Sequence, residues 1–230
     1  MNYVLIGDIH SQANKLECAL DFINKTIKNA RVVFLGDIFD SKNSYSDSYA
    51  VYNLVRQAEK ELNAITIQSN HQDKLIRYFK GNKVELNNGL DKTLEDLVEK
   101  DVSLSDLYEW LIRQAFGIVF RDEYGIEFRC AHAYFSPEVQ IQDYTKQYLV
   151  KAITRHHKHE FLYGLQDSKK NRVNWWELNN SENSFVRVSG HYKTIYTNLE
   201  NKSLVLDSCC GDVNGLLSVY DVNSRTIHQF

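Results

Sequence analysis

The first seventy residues alternate between short apolar runs and amphipathic stretches. Apolar runs at 3–6, 31–35 and 64–68 each end in polar residues. Continuous apolar runs of this length, bounded by small residues, predict strands that are buried on both faces. Between them, apolar side chains recur at helical spacing, and we expect Ser11 to cap the first helix and the second to cover about 46–62. The order β-α-β-α-β predicts strand ends that meet at one edge of a sheet.

The rest of the chain divides into a helical part and a β-rich part. Amphipathic stretches predict that residues 72–116 are mostly helical and form an insertion that covers the sheet. From Gly117 the apolar period changes to two, apart from a helix predicted at 144–154 and a polar, loop-like segment at 156–184. Strands are expected at 118–121, 126–131, 185–189, 204–206, 216–220 and 226–230.

Composition indicates a globular protein with one domain. The chain has 230 residues, of which 43% are hydrophobic and 25% charged, as is ordinary for a folded domain. It contains a single proline, so a proline-rich linker between domains is absent. We therefore expect one domain over residues 1–230.

Charge and cysteine usage narrow the class of protein further. A net charge of −3 argues against a protein that grips long duplex nucleic acid, but it allows a small phosphorylated substrate or a nucleic-acid end. No apolar run approaches the ~20 residues of a membrane span, and we expect no targeting segment before the first strand. These features predict a cytoplasmic protein whose cysteines are reduced: Cys18, Cys130, Cys209 and Cys210.

Side chains of the kinds that bind metals follow the predicted strands. Carboxylate, amide and imidazole groups together suit Mn²⁺, Fe or Zn²⁺ better than Ca²⁺. Taken alone, each residue would more often be structural, as a helix cap or a hydrogen-bonded histidine. Their repeated placement at strand ends favours a metal site. The residues are Asp8, His10, Asp37, Asp40, Asn70, His71, His132 and His191.

The order of these motifs resembles the calcineurin-like metallophosphoesterase superfamily over nearly the whole chain. Within it, residues 69–97 are similar to the phosphatase domain of bacterial polynucleotide kinase-phosphatases. They also resemble symmetrical dinucleoside tetraphosphatases of the PrpE kind and, more loosely, small phage protein phosphatases. The resemblance implies an α/β (α+β) four-layer sandwich, in which helices flank two mixed β-sheets and a helical insertion lies at about 72–116.

The resemblance also implies a role for each motif. Two divalent ions, with Mn²⁺ preferred and Fe, Zn²⁺ or Ni²⁺ as alternatives, would hold a hydroxide that attacks the phosphorus atom. His71 would be the general acid that protonates the leaving oxygen, and Asp40 would orient it. The first ion would be held by Asp8, His10 and Asp37, and the second by the bridging Asp37 with Asn70, His132 and His191.

Three positions depart from the family pattern. Ser69 stands where many relatives have glycine before the Asn-His pair, and Gly190-His191 is followed by Tyr192-Lys193 without a second histidine. Ser41-Lys42 replaces an Arg-Gly pair whose arginine grips a substrate phosphate with two parallel hydrogen bonds, a geometry that lysine cannot reproduce. The candidates to replace that arginine are Lys42 and Arg172, although Lys42 is interpreted equally well as a solvated loop residue.

The sequence leaves the substrate open. A metal-dependent hydrolase of nucleotide-type phosphoesters is the leading hypothesis, with dinucleoside polyphosphates or nucleic-acid terminal phosphates as substrates. A serine/threonine phosphoprotein phosphatase is the alternative within the class. A non-catalytic binding protein that keeps the metal scaffold is the alternative of another class, and retention of Asp37 and His71 argues against it.

Overall fold

A computed structural model describes residues 2–41 and 46–230. None of the helices in these two ranges is long and apolar enough to cross a membrane. The strands are β1 Asn2–Ile6, β2 Ala30–Phe34, β3 Ile65–Thr66, β4 Gly117–Arg121, β5 Glu127–Ala131, β6 Gln147–Val150, β7 Phe185–Ser189, β8 Ile195–Asn198, β9 Ser203–Leu206, β10 Ser218–Asp221 and β11 Thr226–Gln229. The helices are α1 Ala13–Thr26, α2 Ser48–Glu61, α3 Asn70–Phe79, α4 Leu90–Glu99, α5 Leu104–Arg113 and α6 Arg155–Tyr163, with a 3₁₀ turn at Trp175–Glu177.

The first sheet has the strand order β11-β10-β1-β2-β3. Strands β1, β2 and β3 are parallel, with Val4 opposite Val32, which confirms the predicted β-α-β-α-β unit. Strand β1 is buried on both faces, as its continuous apolar run predicts. Val4 and Ile6 pack on the helical side, whereas Tyr3 and Leu5 pack toward the other sheet.

The second sheet has the order β6-β4-β5-β7-β9-β8, in which β5, β7 and β9 are parallel. Its inner face packs on the first sheet through residues such as Phe128, Val188 and Leu204. Helices α1 to α5 cover the outer face of the first sheet, and α6 packs on the outer face of the second. The result is the four-layer sandwich with a helical insertion that the resemblance implied.

The prediction of a helix at 144–154 is wrong. Residues 147–150 form β6, which pairs antiparallel with β4 so that Leu149 lies opposite Ile118. Tyr148, Leu149 and Val150 are aromatic, aliphatic and β-branched residues that suit a half-buried pleated surface, and the edge of β4 offers unpaired backbone groups. Tertiary pairing therefore overrides the helical spacing of this segment.

Two short elements were missed and one cap was misplaced. Helix α6 lies within the segment predicted as a loop, because only Phe161 and Leu162 of its nine residues are buried and its apolar period is weak. Strand β8 alternates between exposed and half-buried residues at the sheet edge. The residue that precedes α1 is Gln12, and the Ser11 hydroxyl instead hydrogen-bonds the Ser48 hydroxyl at 2.8 Å.

A buried arginine ties the second sheet to the segments that carry part of the site. Arg187 in β7 is 2% exposed, and its Nε donates to the Phe135 carbonyl at 2.9 Å. Its Nη1 donates to Asn180 Oδ1 at 3.0 Å, and its guanidinium lies over the Tyr134 ring at 4.6 Å. Arg187 thereby connects β7 with the chain that follows β5 and with the turn after Trp175.

Replacing Arg187 with methionine is expected to lower the free energy of unfolding by about 2–4 kcal/mol, because the Phe135 carbonyl and Asn180 Oδ1 would each lose a donor. Urea unfolding measures the change. Arg113→Met is the matched control, since Arg113 is exposed and pairs with Glu109 on its own helix, and its effect should stay within about 0.5 kcal/mol. Equal effects of the two variants would contradict the structural role of Arg187.

Candidate metal centre

The turns after the strands place their polar side chains with unusual backbone angles. His10, Asp37, Asp40 and His191 have φ angles of 49°, 39°, 67° and 70°. Positive φ is uncommon for residues other than glycine and often accompanies functional sites, where the surrounding structure supports the strain. Here these turns direct histidine and aspartate side chains from both sheets to one point between the sheets.

Two groups of metal-ligating side chains meet at this point and share Asp37. Asp8, His10 and Asp37 form the first group, and Asp37, His132 and His191 form the second. In each group the ligand atoms all lie within 4.8 Å of one another. The structure thus brings together the residues predicted for both ions, and Asn70 joins the second group because its Oδ1 lies 2.8 Å from His132 Nε2.

Backbone carbonyl groups fix the tautomers of two histidines. His10 Nδ1 donates to the Asp40 carbonyl at 2.9 Å, and His132 Nδ1 donates to the Leu35 carbonyl at 2.9 Å. A carbonyl oxygen can only accept, so the neutral rings carry their proton on Nδ1 and present the Nε2 lone pair to the site. His132 Nε2 lies 3.4 Å from Asp37 Oδ2. A lone pair and a carboxylate oxygen at this distance repel each other, and a cation between them turns the repulsion into attraction.

The buried carboxylates also fit a cation. Asp8 and Asp37 are 2% and 3% exposed, and the Oδ1 atom of each accepts no hydrogen bond from the described residues. A buried oxygen left without a partner is costly, and coordination of a cation removes that cost. The ligand types and the unpartnered oxygens therefore fit two divalent ions.

Burial and neighbouring charges separate the pKa values of the two carboxyl groups. Burial and the carboxylates of Asp207 and Asp37 raise the pKa of Asp8 well above its usual range. Burial also acts to raise the pKa of Asp37, but His132, His71 and His10 outweigh it and hold that pKa well below its usual range. Asp37 is therefore the carboxylate around which the histidines of the site are arranged.

His71 is held by Asp40 beside the shared carboxylate. Its Nδ1 lies 2.8 Å from Asp40 Oδ2, and its Nε2 lies 4.0 Å from Asp37 Oδ2. Burial alone would lower the pKa of His71, but the carboxylates of Asp37 and Asp40 raise it to about 9. Neither His71 nor Asp40 belongs to the two ligand groups, in keeping with the separate role expected for this pair.

Arg172 contacts His191 from the exposed side of the site. Its Nη2 lies 3.2 Å from His191 Nε2, and its guanidinium lies 5.5 Å from the centre of the Tyr192 ring. Burial, with the neighbouring His132, lowers the pKa of His191 to about 3, so the ring is neutral. Of the two predicted substitutes for the family arginine, Arg172 thus lies at the site, whereas Lys42 lies outside the described residues.

Glycine is required at two positions where the backbone touches ligands. A Cβ atom at Gly190 would lie 1.9 Å from Asp8 Oδ1. Gly36 has a φ of 106°, and a Cβ there would lie 2.8 Å from His132 Nδ1. The Gly-Asp and Gly-His pairs of the sequence therefore reflect close approach between the two sheets.

Two features of the site were not predicted. Asp207 follows β9, is buried, and accepts hydrogen bonds from the backbone N–H groups of Lys193 and Cys209 at 2.6 and 2.9 Å. Its position after an apolar strand is the same signal that identified Asp8 and Asp37. Ser69, the residue that replaces the family glycine, caps α3 by accepting from the Gln72 N–H and so fixes the first turn with Asn70 and His71.

Trp175 and Trp176 do not face the site as stacking surfaces. They are 0% and 7% exposed, and Trp175 Nε1 donates to the Ala133 carbonyl at 3.1 Å. Both rings therefore belong to the hydrophobic core of the protein.

An open cleft of about 410 Å³ adjoins the ligand groups. Its volume lies in the range of about 300–1,000 Å³ that is usual for small-molecule sites. A larger depression of about 590 Å³, near Arg121 and Arg129, contains none of the candidate ligands. The cleft is lined by His10, Asp40, Ser41, His71, Asn88, Lys193, Asp207, Cys209, Gly211 and Asp212.

Comparison with known proteins agrees with this geometry. The sequence model described as calcineurin-like phosphoesterase matches residues 1–215. A protein of Oceanobacillus iheyensis named bis(5'-nucleosyl)-tetraphosphatase PrpE (asymmetrical) is 40% identical over 101 residues, which are 40% of this chain and 39% of the relative. The Bacillus subtilis protein of the same name is 34% identical over 107 residues, or 43% of each chain.

The matches to these curated relatives thus span only about two fifths of their length. Their names specify asymmetrical enzymes, which corrects the symmetrical class suggested by residues 69–97.

Solved structures show the same fold at low identity. A crystal structure assigned to a diadenosine tetraphosphatase has a TM-score of 0.64 and 17% identity, and the match covers 100% of this chain and 92% of that one. The cold-active protein-tyrosine phosphatase of a Shewanella species has a TM-score of 0.59 and 14% identity, covering 99% and 80% of the two chains. These neighbours bear out the fold, and at these identities they carry no information on substrate.

We expect the native chain to bind two divalent ions, and Asp37→Asn to lose both because this carboxylate belongs to both groups. His191→Ala should retain one ion. Metal content after dialysis against Mn²⁺, measured by inductively coupled plasma mass spectrometry, tests this pattern, with the exposed Asp21→Asn as control. Two ions in Asp37→Asn would contradict the shared role of Asp37.

Gly190→Ala is expected to weaken binding of Mn²⁺ by about tenfold or more, because the new methyl group would displace Asp8, and displacement of groups that orient ligands has effects of this size. Calorimetric titration measures the affinity. Gly81→Ala is the control for backbone strain alone: its φ of 75° disfavours alanine, but a Cβ there meets nothing within 4 Å and Gly81 does not line the cleft. Native affinity in Gly190→Ala would show that Asp8 is not a ligand.

Proposed function

The chain belongs to the calcineurin-like phosphoesterase family, and from this membership we propose that it is a metal-dependent hydrolase of phosphate esters that acts on nucleotide-type substrates. The observation that carries the proposal is the pair of ligand groups that share Asp37, with His71 and Asp40 beside them at an open cleft. This arrangement offers sites for two cations and a separate proton donor, as hydrolysis of a phosphate ester requires.

The nucleotide preference is supported by the relatives. The proteins of Oceanobacillus iheyensis and Bacillus subtilis carry the name of a bis(5'-nucleosyl)-tetraphosphatase. We propose the same substrate class for this chain, with dinucleoside polyphosphates ahead of nucleic-acid ends. We also propose Mn²⁺ as the natural metal, one domain over the whole chain, and the cytoplasm as the place of action.

Asp8, His10 and Asp37 would hold one ion, and Asp37, Asn70, His132 and His191 the other. When bound, the two ions supply positive charge to the phosphate oxygens and acidify a water molecule near neutral pH. The protein contributes rigidity: the Nδ1 hydrogen bonds of His10 and His132 to backbone carbonyls hold both rings in the orientation that presents Nε2. Preorganised ligands of this kind lose little entropy when the substrate binds.

His71 donates the proton that the leaving oxygen requires. Asp40 holds Nδ1 of the ring at 2.8 Å, so that Nε2 points toward the reacting group and not into solvent. Asp40 itself is 3% exposed and its backbone N–H donates to Thr93 Oγ1 at 3.1 Å, which fixes the turn that carries it. This separation of the proton donor from the ligand groups allows the two to act on opposite sides of the phosphorus atom.

Arg172 supplies the guanidinium that the turn after Asp40 lacks. A guanidinium only donates, so its contact places the lone pair of His191 on Nε2 and the ring proton on Nδ1. His191 would hold the second ion through Nδ1, the nitrogen that faces His132 at 3.0 Å, and its ring proton would then have to lie on Nε2. Arg172 would no longer donate to that nitrogen, and its guanidinium would be available to phosphate oxygens beside the second ligand group.

The test is the rate of 4-nitrophenyl phosphate hydrolysis with and without Mn²⁺, for the native chain and for Asp37→Asn. We expect metal-dependent turnover that the variant loses. A panel of dinucleoside polyphosphates, 3′-phosphorylated oligonucleotides and phosphoserine peptides then ranks the substrate classes. A native chain that binds Mn²⁺ and hydrolyses none of them would favour the non-catalytic scaffold.

His71→Gln is expected to lower kcat by about 10²–10⁴ for substrates with an alcohol leaving group, because an alkoxide must be protonated as it departs. The loss should be much smaller for 4-nitrophenyl phosphate, whose leaving group is stable as an anion. Asp40→Asn should reproduce the same difference in weaker form. Equal losses on both kinds of substrate would exclude a general-acid role for His71 and indicate a structural one.

A further inference from the structure

Within the function proposed above, we infer that Lys193 and Asp212 form a subsite for a second phosphate group, so that the cleft prefers oligophosphates to single phosphate esters. The inference rests on the composition of the cleft wall and on the way in which Lys193 is held. Neither residue belongs to the candidate ligands or to the proton-donor pair.

The cleft wall combines the groups proposed for catalysis with further charged residues. His10, Asp40 and His71 line it together with Lys193, Asp207 and Asp212. Among the described residues that line the cleft, Lys193 is the one lysine or arginine. A polyanionic substrate that extends from the ligand groups along this cleft therefore meets the Lys193 ammonium group.

The backbone of Lys193 is fixed while its side chain is free to reach a ligand. Its N–H donates to the buried Asp207 Oδ2 at 2.6 Å, and its φ angle is 51°. The side chain is 66% exposed, and its Nζ lies 3.1 Å from Asp212 Oδ2. Asp207 thus anchors the base of the lysine next to the site and leaves the charged end in the cleft.

Asp212 acts as an exchangeable counter-ion for this lysine. Its side chain is 57% exposed, and ion pairs between groups this exposed contribute little free energy. An oligophosphate chain carries several negative charges and offers more acceptor oxygens than one carboxylate, so it competes well for Nζ. Removal of the Asp212 carboxylate would therefore free the Lys193 ammonium group and improve the binding of an oligophosphate.

The experiment compares KM for diadenosine tetraphosphate with KM for 4-nitrophenyl phosphate, because only the first substrate has further phosphate groups. Lys193→Gln should raise the ratio of KM for diadenosine tetraphosphate to KM for 4-nitrophenyl phosphate by about tenfold. This is the size of effect expected for loss of a hydrogen bond to a charged group. Lys193→Arg should restore most of the preference. Asp212→Asn should change the ratio in the opposite direction by up to about threefold, as expected for an exposed pair.

A second ion pair in the chain provides matched controls. Lys25 and Asp21 on α1 are 73% and 63% exposed and lie 2.9 Å apart, much like Lys193 and Asp212. Lys25→Gln and Asp21→Asn should leave both KM values unchanged. Opposite effects of Lys193→Gln and Asp212→Asn cannot arise from a merely structural ion pair, since loss of either partner would then have the same sign.

Two results would overturn the inference: an unchanged ratio in Lys193→Gln, or effects of the same sign in both variants. Absence of metal-dependent turnover of both substrates by the native chain would instead count against the proposed function. In that case the subsite is tested without turnover, by measuring the affinity of the metal-free chain for inorganic triphosphate with calorimetry. Weaker binding by Lys193→Gln than by native protein would support the subsite, and equal binding would refute it.

Discussion

The burial of two carboxylates between two sheets is the constraint on which the rest of the site depends. Asp8 and Asp37 are almost completely buried, and their ligand oxygens lie within 4.8 Å of each other. Two negative charges buried this close together destabilise the folded protein unless hydrogen bonds or positive charges compensate for them. Histidines from both sheets surround Asp37, and the backbone N–H of His191 donates to Asp8 at 2.9 Å. Divalent ions complete that compensation, so the fold favours cation binding before any substrate arrives.

Much of the fold and of the site could be predicted from the sequence because both depend on local patterns. The run at 3–6 has the period of a strand buried on both faces, and it ends at Asp8, a candidate ligand. Residues 144–154 could not be predicted in the same way, because β6 forms through pairing with β4, nearly thirty residues earlier in the chain. Helix α6 has too few buried residues to produce a helical period.

Other features required the tertiary structure because they join distant parts of the chain. Asp207 follows a short apolar strand, but only the packing of β9 beside β7 shows that it reaches Asp8. The contact between Arg172 and His191 depends on a loop without a regular pattern, and the pairing of Lys193 with Asp212 joins two turns. Residue type and spacing in the sequence carry no information on the distances between these side chains. The end of an apolar run, in contrast, indicates that the next polar side chain lies at the edge of a sheet.

The hydrogen bonds that orient the ligands also connect the two sheets. His132, after β5 of the second sheet, donates to the Leu35 carbonyl after β2 of the first, and His191 donates to Asp8 in the same direction. Substituting one of these residues therefore loosens the contact between layers as well as the site. The same residues therefore hold the two sheets together and orient the ligands, so a change of substrate preference that spares the fold has to come from the turns that line the cleft.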